Sequence, residues 1–266
     1  MATPTVLVLR SPGANCDEET AHAWRLAGAQ AERVHVNRVL EAPELLDGYQ
    51  ALCVPGGFSY GDDIAAGRVL GNQLKLGLAD ALRRFRDAGK LVLGVCNGFQ
   101  VLVNTGLLDL EDESGQLASL TWNNHGRYEA RWVRLGVDPG RCVFLQGLDR
   151  LELPIAHAEG RIATRGGDAL GRLVDDGRVV LRYRGAQTDA GDSVLPFPAN
   201  PNGSVGNAAG LTDSSGRVLG LMPHPERFLF ATQHPTWTRR RAEGGFDPHA
   251  DGDGLRLFRN AVAYFG

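Results

Sequence analysis

In Lys90-Leu91-Val92-Leu93-Gly94-Val95 every residue after the opening lysine is apolar, a run of strand length with none of the alternation that marks a strand exposed on one face. Such a run is buried on both faces, which in practice means a parallel sheet covered by helices. The segments before it repeat the theme. Thr5-Val6-Leu7-Val8-Leu9, residues 31–36 and Ala51-Leu52-Cys53-Val54-Pro55 are further strand candidates. A helix is expected after the first of them, with Asn15 as its cap, Asp17, Glu18 and Glu19 in its first turn, and Gly28 at its end. A second helical stretch covers about residues 64–88, and a third covers residues 99–107. Strand alternating with helix predicts an α/β fold in which ligands bind beyond the carboxyl ends of the strands.

From about residue 117 to 221 the chain becomes strand-rich, with candidates at 130–135, 142–145, 179–183 and 218–221 and a hairpin turn at Asp213 to Gly216. Residues 255–265 read as an amphipathic helix, and the polar stretch 233–254 reads as an inserted loop. The fold class expected is therefore α/β, an open mostly parallel sheet flanked by helices with a strand-rich extension. Without a repeat or a linker, residues 1–266 are expected to form a single domain.

Charge and composition exclude several functions. The formal net charge is −3 and no basic stripe is present, which argues against nucleic acid as a partner. No apolar run reaches 18 residues, so no membrane span is expected, and residues 1–9 lack the features of a signal peptide. Cys16, Cys53, Cys96 and Cys142 show no Cys-x-x-Cys spacing, which points away from a metal site and toward free thiols in the cytoplasm. Glycine is abundant, 35 of 266 residues, against a usual share of about 7%.

The chemistry concentrates where the buried strand ends. Gly94-Val95-Cys96-Asn97-Gly98 places a nucleophile between two glycines at a strand-to-helix turn, the nucleophile elbow with cysteine in place of serine. There the sulfur projects at a helix N-terminus, where backbone N–H groups stabilise a thiolate and a developing oxyanion. A thiolate needs a base. Of seven histidines, His224 stands out in Leu221-Met222-Pro223-His224-Pro225-Glu226, beyond another apolar strand. In an extended segment, residues two apart point the same way, so Glu226 can orient the imidazole. Gly56-Gly57-Phe58 follows the third strand and offers free N–H groups. Cys16, Cys53 and Cys142 lack this context and read as structural.

Gly94 to Gln100 together with Met222 to Glu226 resembles the class I (triad) glutamine amidotransferases. Gly56-Gly57-Phe58-Ser59-Tyr60-Gly61-Asp62, Pro154-Ile155-Ala156-His157-Ala158-Glu159-Gly160 and Asn200-Pro201-Asn202-Gly203-Ser204 are similar to the glutamine amidotransferase subunits of phosphoribosylformylglycinamidine synthase, over almost the whole chain. The resemblance implies Cys96 as nucleophile, His224 as general base and acid, and Glu226 as its orienting partner. It implies an oxyanion hole from the N–H groups of Gly57 and Asn97, and substrate contacts by Phe58 and Gln100. Glutamine would be hydrolysed and its ammonia passed to a synthetase subunit, with a small accessory subunit as a further partner. No metal and no cofactor is implied for this chain, which has no Walker-type loop; ATP and Mg2+ are expected on the synthetase. Two departures stand out: residues 233–254 are longer than in the smallest members, and Trp122-Asn123-Asn124-His125-Gly126-Arg127 differs from the usual Ser-Gly-Arg. His157 is expected at the partner-facing rim. The readings left open are a stand-alone cysteine hydrolase or peptidase, a catalytically dead regulatory subunit, and an amidotransferase subunit serving another synthetase.

Overall fold

A computed structural model describes residues 3–185 and 193–266. Its centre is a sheet whose strands lie in the order Gln30–His35, Thr5–Arg10, Ala51–Val54, Leu91–Val95, Val218–Leu221, Ala208–Thr212, Val179–Arg184, Glu129–Val137 and Arg150–His157. The first five are parallel to their neighbours, and the rest continue antiparallel. Every residue of the Ala51–Val54, Leu91–Val95 and Val218–Leu221 strands is buried, as their unbroken apolar composition requires. Two helix pairs flank the sheet. Asp17–Leu26 meets Asp253–Ala263, where Trp24 packs edge-on against Phe258 with ring centroids 5.3 Å apart. Arg68–Asp87 packs on Asn97–Thr105.

Register decides where the chemistry falls. Val54 pairs with Gly94, and Leu221 pairs with Val95, so three adjacent parallel strands end at one edge of the sheet. Gly56-Gly57, Cys96 and His224 are the residues that follow those ends. The antiparallel extension then folds back over this edge, where the Pro154 carbonyl accepts from the His224 N–H at 2.8 Å.

Several elements differ from the sequence expectations. Cys16, not Asn15, occupies the cap of the first helix, and no side chain caps that helix. The helix expected from residue 64 begins only at Arg68. Gly67 at its cap is left-handed (φ 70), and a Cβ there would lie 2.8 Å from the Val101 nitrogen. Residues 142–145 are not a strand: Val143–Leu145 is a 3-10 turn burying Phe144 and Leu145, and its Phe144 carbonyl accepts from Asn260 Nδ2 at 3.0 Å. A four-residue apolar run has no period to distinguish the two forms. The stretch 233–254 is no simple loop. It carries the helix Trp237–Glu243 and returns to the sheet, where Arg240 Nη2 donates to Glu152 Oε2 at 2.6 Å and the buried His234 ring lies 4.5 Å from Trp132. The hairpin turn expected at Asp213 to Gly216 joins the antiparallel strands Ala208–Thr212 and Val218–Leu221, and Arg150–His157 is a strand that the sequence reading does not include.

Candidate active site

Cys96 stands between the Leu91–Val95 strand and the Asn97–Thr105 helix with φ 51° and ψ −106°, a conformation rare for a residue with a side chain. Both flanking glycines are required by contact. A Cβ on Gly98 would lie 1.8 Å from the Val54 carbonyl oxygen, and one on Gly94 would lie 2.5 Å from Leu102 Cδ1. The helix start is thereby pressed onto the neighbouring strand. Cys96 N–H donates to the Leu221 carbonyl at 2.8 Å, which locks the elbow to the strand that delivers His224. The sulfur donates to the Ala156 carbonyl at 3.6 Å, and Cys96 as a whole is 5% exposed.

His224 and Glu226 are buried, and His224 Nδ1 lies 2.6 Å from Glu226 Oε1. The contact forms by a different route from the one expected. His224 is extended, but Pro225–Arg227 is a 3-10 turn that carries the carboxylate round to the ring. Burial works against the imidazolium, but the Glu226 carboxylate and the sulfurs of Cys96 and Cys16 outweigh it, and His224 is held well above the ordinary histidine value. Nε2, the ring nitrogen turned away from Glu226, makes no hydrogen bond among the described residues. Catalytic hydrogen bonds are commonly long before substrate binds.

A cleft of about 290 Å³, counting space open to solvent, is lined by Gly57, Phe58, Cys96, Gln100, His157 and Glu159 together with Asp62 and neighbouring alanines. Four of the expected residues thus face one space. Asn97 lies just behind it with its side chain fully engaged: Oδ1 accepts from the Ser59 N–H at 3.1 Å, and Nδ2 donates to Asp62 Oδ1 at 3.0 Å and to Gln100 Oε1 at 2.9 Å. Its backbone N–H opens a helix, where first-turn N–H groups have no intrahelical acceptor. Gln100 is committed as well, Nε2 donating to the Glu159 carbonyl at 2.6 Å. Phe58 is 45% exposed at the mouth, stacked on Tyr128 with centroids 6.5 Å apart.

His157 is not at a rim. It is 3% exposed and lines the cleft, its ring lying so close on Gly160 that a Cβ there would be 2.2 Å from it. Asn123, also buried, fixes its tautomer. The Asn123 Nδ2 donates to the Arg127 and His157 carbonyls, both at 2.9 Å, so its Oδ1 is the acceptor for Gly160 N–H at 3.2 Å and for His157 Nδ1 at 3.1 Å. Within Trp122 to Arg127, the buried Asn123 thus supports the interior, while Trp122 and Arg127 are exposed. The Asn200 to Ser204 motif buckles the same region: Asn202 Nδ2 donates to the Gly160 carbonyl at 2.8 Å, and Ser204 Oγ accepts from Ile162 N–H at 3.0 Å. The sequence held a signal for His157, in its Pro154 to Gly160 match, but none for Asn123, whose bonds to His157 and Gly160 span more than thirty residues.

Burial lowers His157 to about 3 from the usual 6.5. Between those values the unfolded chain takes up a proton that the native ring refuses, so stability rises with pH there. Urea unfolding of His157→Gln is expected to show a shallower loss on acidification from pH 6 to 4, by about 1.4 kcal/mol per pH unit. Equal slopes for variant and wild type would mean that His157 titrates normally.

Among described residues no helix is long and apolar enough to cross a membrane. A family model for the CobB/CobQ-like glutamine amidotransferase domain matches residues 3–265. The phosphoribosylformylglycinamidine synthase subunit PurQ of Dehalococcoides mccartyi is 46% identical over 99% of this chain and 98% of that protein. The subunit of the same name from Methanococcus maripaludis is 38% identical over 98% of this chain and 97% of its own length. Among solved structures, PurLQS from Thermotoga maritima aligns over 100% of both chains at 29% identity with a TM-score of 0.73. A glutamine amidotransferase from Thermotoga maritima, 16% identical over 100% of this chain and 98% of that one, shares the fold at a TM-score of 0.53.

Proposed function

We infer the function from one premise: this chain belongs to the CobB/CobQ-like glutamine amidotransferase family. It is the glutaminase subunit of a phosphoribosylformylglycinamidine synthase, acting as one amidotransferase domain over residues 1–266. It hydrolyses glutamine to glutamate and ammonia. It delivers the ammonia to a synthetase subunit for ATP-dependent conversion of formylglycinamide ribonucleotide to formylglycinamidine ribonucleotide in purine biosynthesis. The observation that carries this reading is the strained Cys96 lining the cleft, with the buried His224–Glu226 pair delivered by the adjacent strand. The identity of 46% to a full-length PurQ supports the choice of reaction.

Cys96 attacks the side-chain amide carbon of glutamine as a thiolate. The tetrahedral oxyanion is held by the N–H groups of Gly57 and Asn97, fixed beforehand by the close packing of their loops. Imidazolium His224 gives its proton to the departing ammonia, leaving a glutamyl thioester. Neutral His224 then takes a proton from water, which attacks the thioester and releases glutamate. Glu226 keeps Nδ1 protonated and the ring in register throughout. Phe58 and Gln100 border the glutamine. ATP, Mg2+ and the ribonucleotide are held by the synthetase, a small accessory subunit completes the assembly, and the complex works in the cytoplasm, where the four free cysteines stay reduced.

The test is glutamate release with and without the synthetase, its ATP and formylglycinamide ribonucleotide. Release is expected to rise by about tenfold or more in the complex, because partner binding completes such sites. Release indifferent to the partner would leave a glutaminase and remove the purine assignment.

A further inference from the structure

Cys16 is the one cysteine besides Cys96 that touches the reacting groups, and the mechanism above does not use it. Its sulfur is wholly buried at the end of a loop, residues 11–16, that reaches two parts of the site at once. Through the backbone the loop grips the oxyanion-hole segment. Cys16 N–H donates to the Gly56 carbonyl at 3.2 Å, and Phe58 N–H donates to the Gly13 carbonyl at 2.9 Å. The approach is so close that a Cβ on Gly57 would lie 2.7 Å from the Gly13 oxygen. Through the Cys16 side chain the loop grips the histidine turn. Arg227 Nη2 donates to Cys16 Sγ at 3.1 Å, and the thiol donates to Asn15 Oδ1 at 3.3 Å. Donor atoms of Cys16, His224 and Glu226 lie within 4.8 Å of one another. A methyl group on Gly56 would touch both, 2.8 Å from His224 Cε1 and 3.3 Å from Cys16 Sγ.

Three such groups are also a metal-ligand set, but the Arg227 guanidinium already rests on the sulfur, and a second cation beside it is disfavoured. The sulfur is matched to a hydrogen-bond donor carried by the residue next to Glu226.

We propose that Cys16 is a positioning residue for glutamine hydrolysis: its backbone sets the oxyanion-hole loop and its sulfur, through Arg227, sets the turn carrying His224 and Glu226, so that both keep one distance from Cys96. The inference rests on the reading of Cys96 and His224 as nucleophile and base. A misplacement of about 1 Å at a catalytic group, caused by a change away from the chemistry, can cost up to about 10²-fold in rate.

The test uses Cys16→Ala, Cys16→Ser, Arg227→Gln and the Cys16→Ala/Arg227→Gln double variant in the assembled complex. Two measurements are made: kcat and KM for glutamine, and the pH profile of Cys96 alkylation by iodoacetamide, read by peptide mass spectrometry. Cys16→Ala is expected to lower kcat about tenfold with KM changed less than about twofold, and to slow Cys96 alkylation at neutral pH. Arg227→Gln should reproduce both effects, and the double variant should be no worse than either single one, as for residues acting as a unit. Serine retains a donor and an acceptor in the same place, so Cys16→Ser should restore at least half the rate even if the alanine variant folds poorly. A Cys16→Ala or Cys16→Ser enzyme with lowered melting temperature but wild-type kcat and alkylation profile would overturn the positioning role. Undiminished hydrolysis by Cys96→Ala would instead remove the reading on which it rests.

Discussion

Cys96→Ala is expected to lower glutamate release by about 10⁴-fold or more, since removing the nucleophile of a triad removes nearly all that the triad contributes. The remainder of the site should persist. The alanine inherits the same backbone conformation, its N–H still donates to the Leu221 carbonyl, and the lost sulfur contact to Ala156 at 3.6 Å is weak. The variant should therefore fold, bind glutamine and associate with the synthetase. A complex containing it should make formylglycinamidine ribonucleotide from ammonium chloride but not from glutamine. Both assays are needed, because they separate loss of the nucleophile from loss of the complex. Release within about tenfold of wild type from purified Cys96→Ala would show that another group attacks the amide, and the covalent mechanism would fall.

The catalytic elements were legible where chemistry and local pattern coincide. Cys96 was marked by glycines on either side after a continuously apolar strand, and its elbow is a local property of five residues. His224 was marked by prolines and a carboxylate beyond a second apolar strand. Even so, the local argument for Glu226 assumed an extended segment. The contact instead depends on a 3-10 turn that two prolines favour and that side-chain alternation does not reveal. The supporting residues were illegible for a plainer reason. Asn123 is defined by the carbonyl and ring of His157, 34 residues away, and Cys16 by an arginine 211 residues away, so nothing in their neighbourhoods distinguishes them from a loop amide and a buried structural thiol. The same limit explains the fold errors. The parallel half has long uniform runs with one interpretation, whereas residues 142–145 are too short for periodicity to act on, and the strand Ala208–Thr212 was marked only at its end, by the hairpin turn that follows it.

Gly98→Ala is expected to do more damage to the fold than any other single methyl group added at this site. Its φ is not positive, so the cost is purely one of contact, and that contact is backbone on backbone. The new Cβ would lie 1.8 Å from the Val54 oxygen, 2.6 Å from the Val54 carbon and 3.1 Å from the Pro55 oxygen. No side-chain rotation relieves it. The Asn97–Thr105 helix must retreat from the Ala51–Val54 strand by more than an ångström, or the strand must leave its register with Leu91–Val95. Overpacking of this kind costs typically about 1–3 kcal/mol, and a clash between two rigid segments belongs at or above the upper end, a large share of the roughly 5–15 kcal/mol that stabilises a domain. Function should suffer even if folding survives, because the retreat carries the Asn97 N–H away from Gly57, and a displacement of about 1 Å at a catalytic group can cost about 10²-fold in rate. Gly171→Ala supplies the comparison. That glycine is exposed within the Gly167–Asp175 helix, lacks a positive φ and has nothing within 4 Å of its added Cβ, so alanine there should stabilise by about 0.4–1 kcal/mol. Urea unfolding of the two variants beside wild type measures the contrast. A Gly98→Ala protein as stable and as active as Gly171→Ala would mean that the elbow is not held against the neighbouring strand, and the oxyanion hole would lose the fixed geometry on which its catalytic contribution depends.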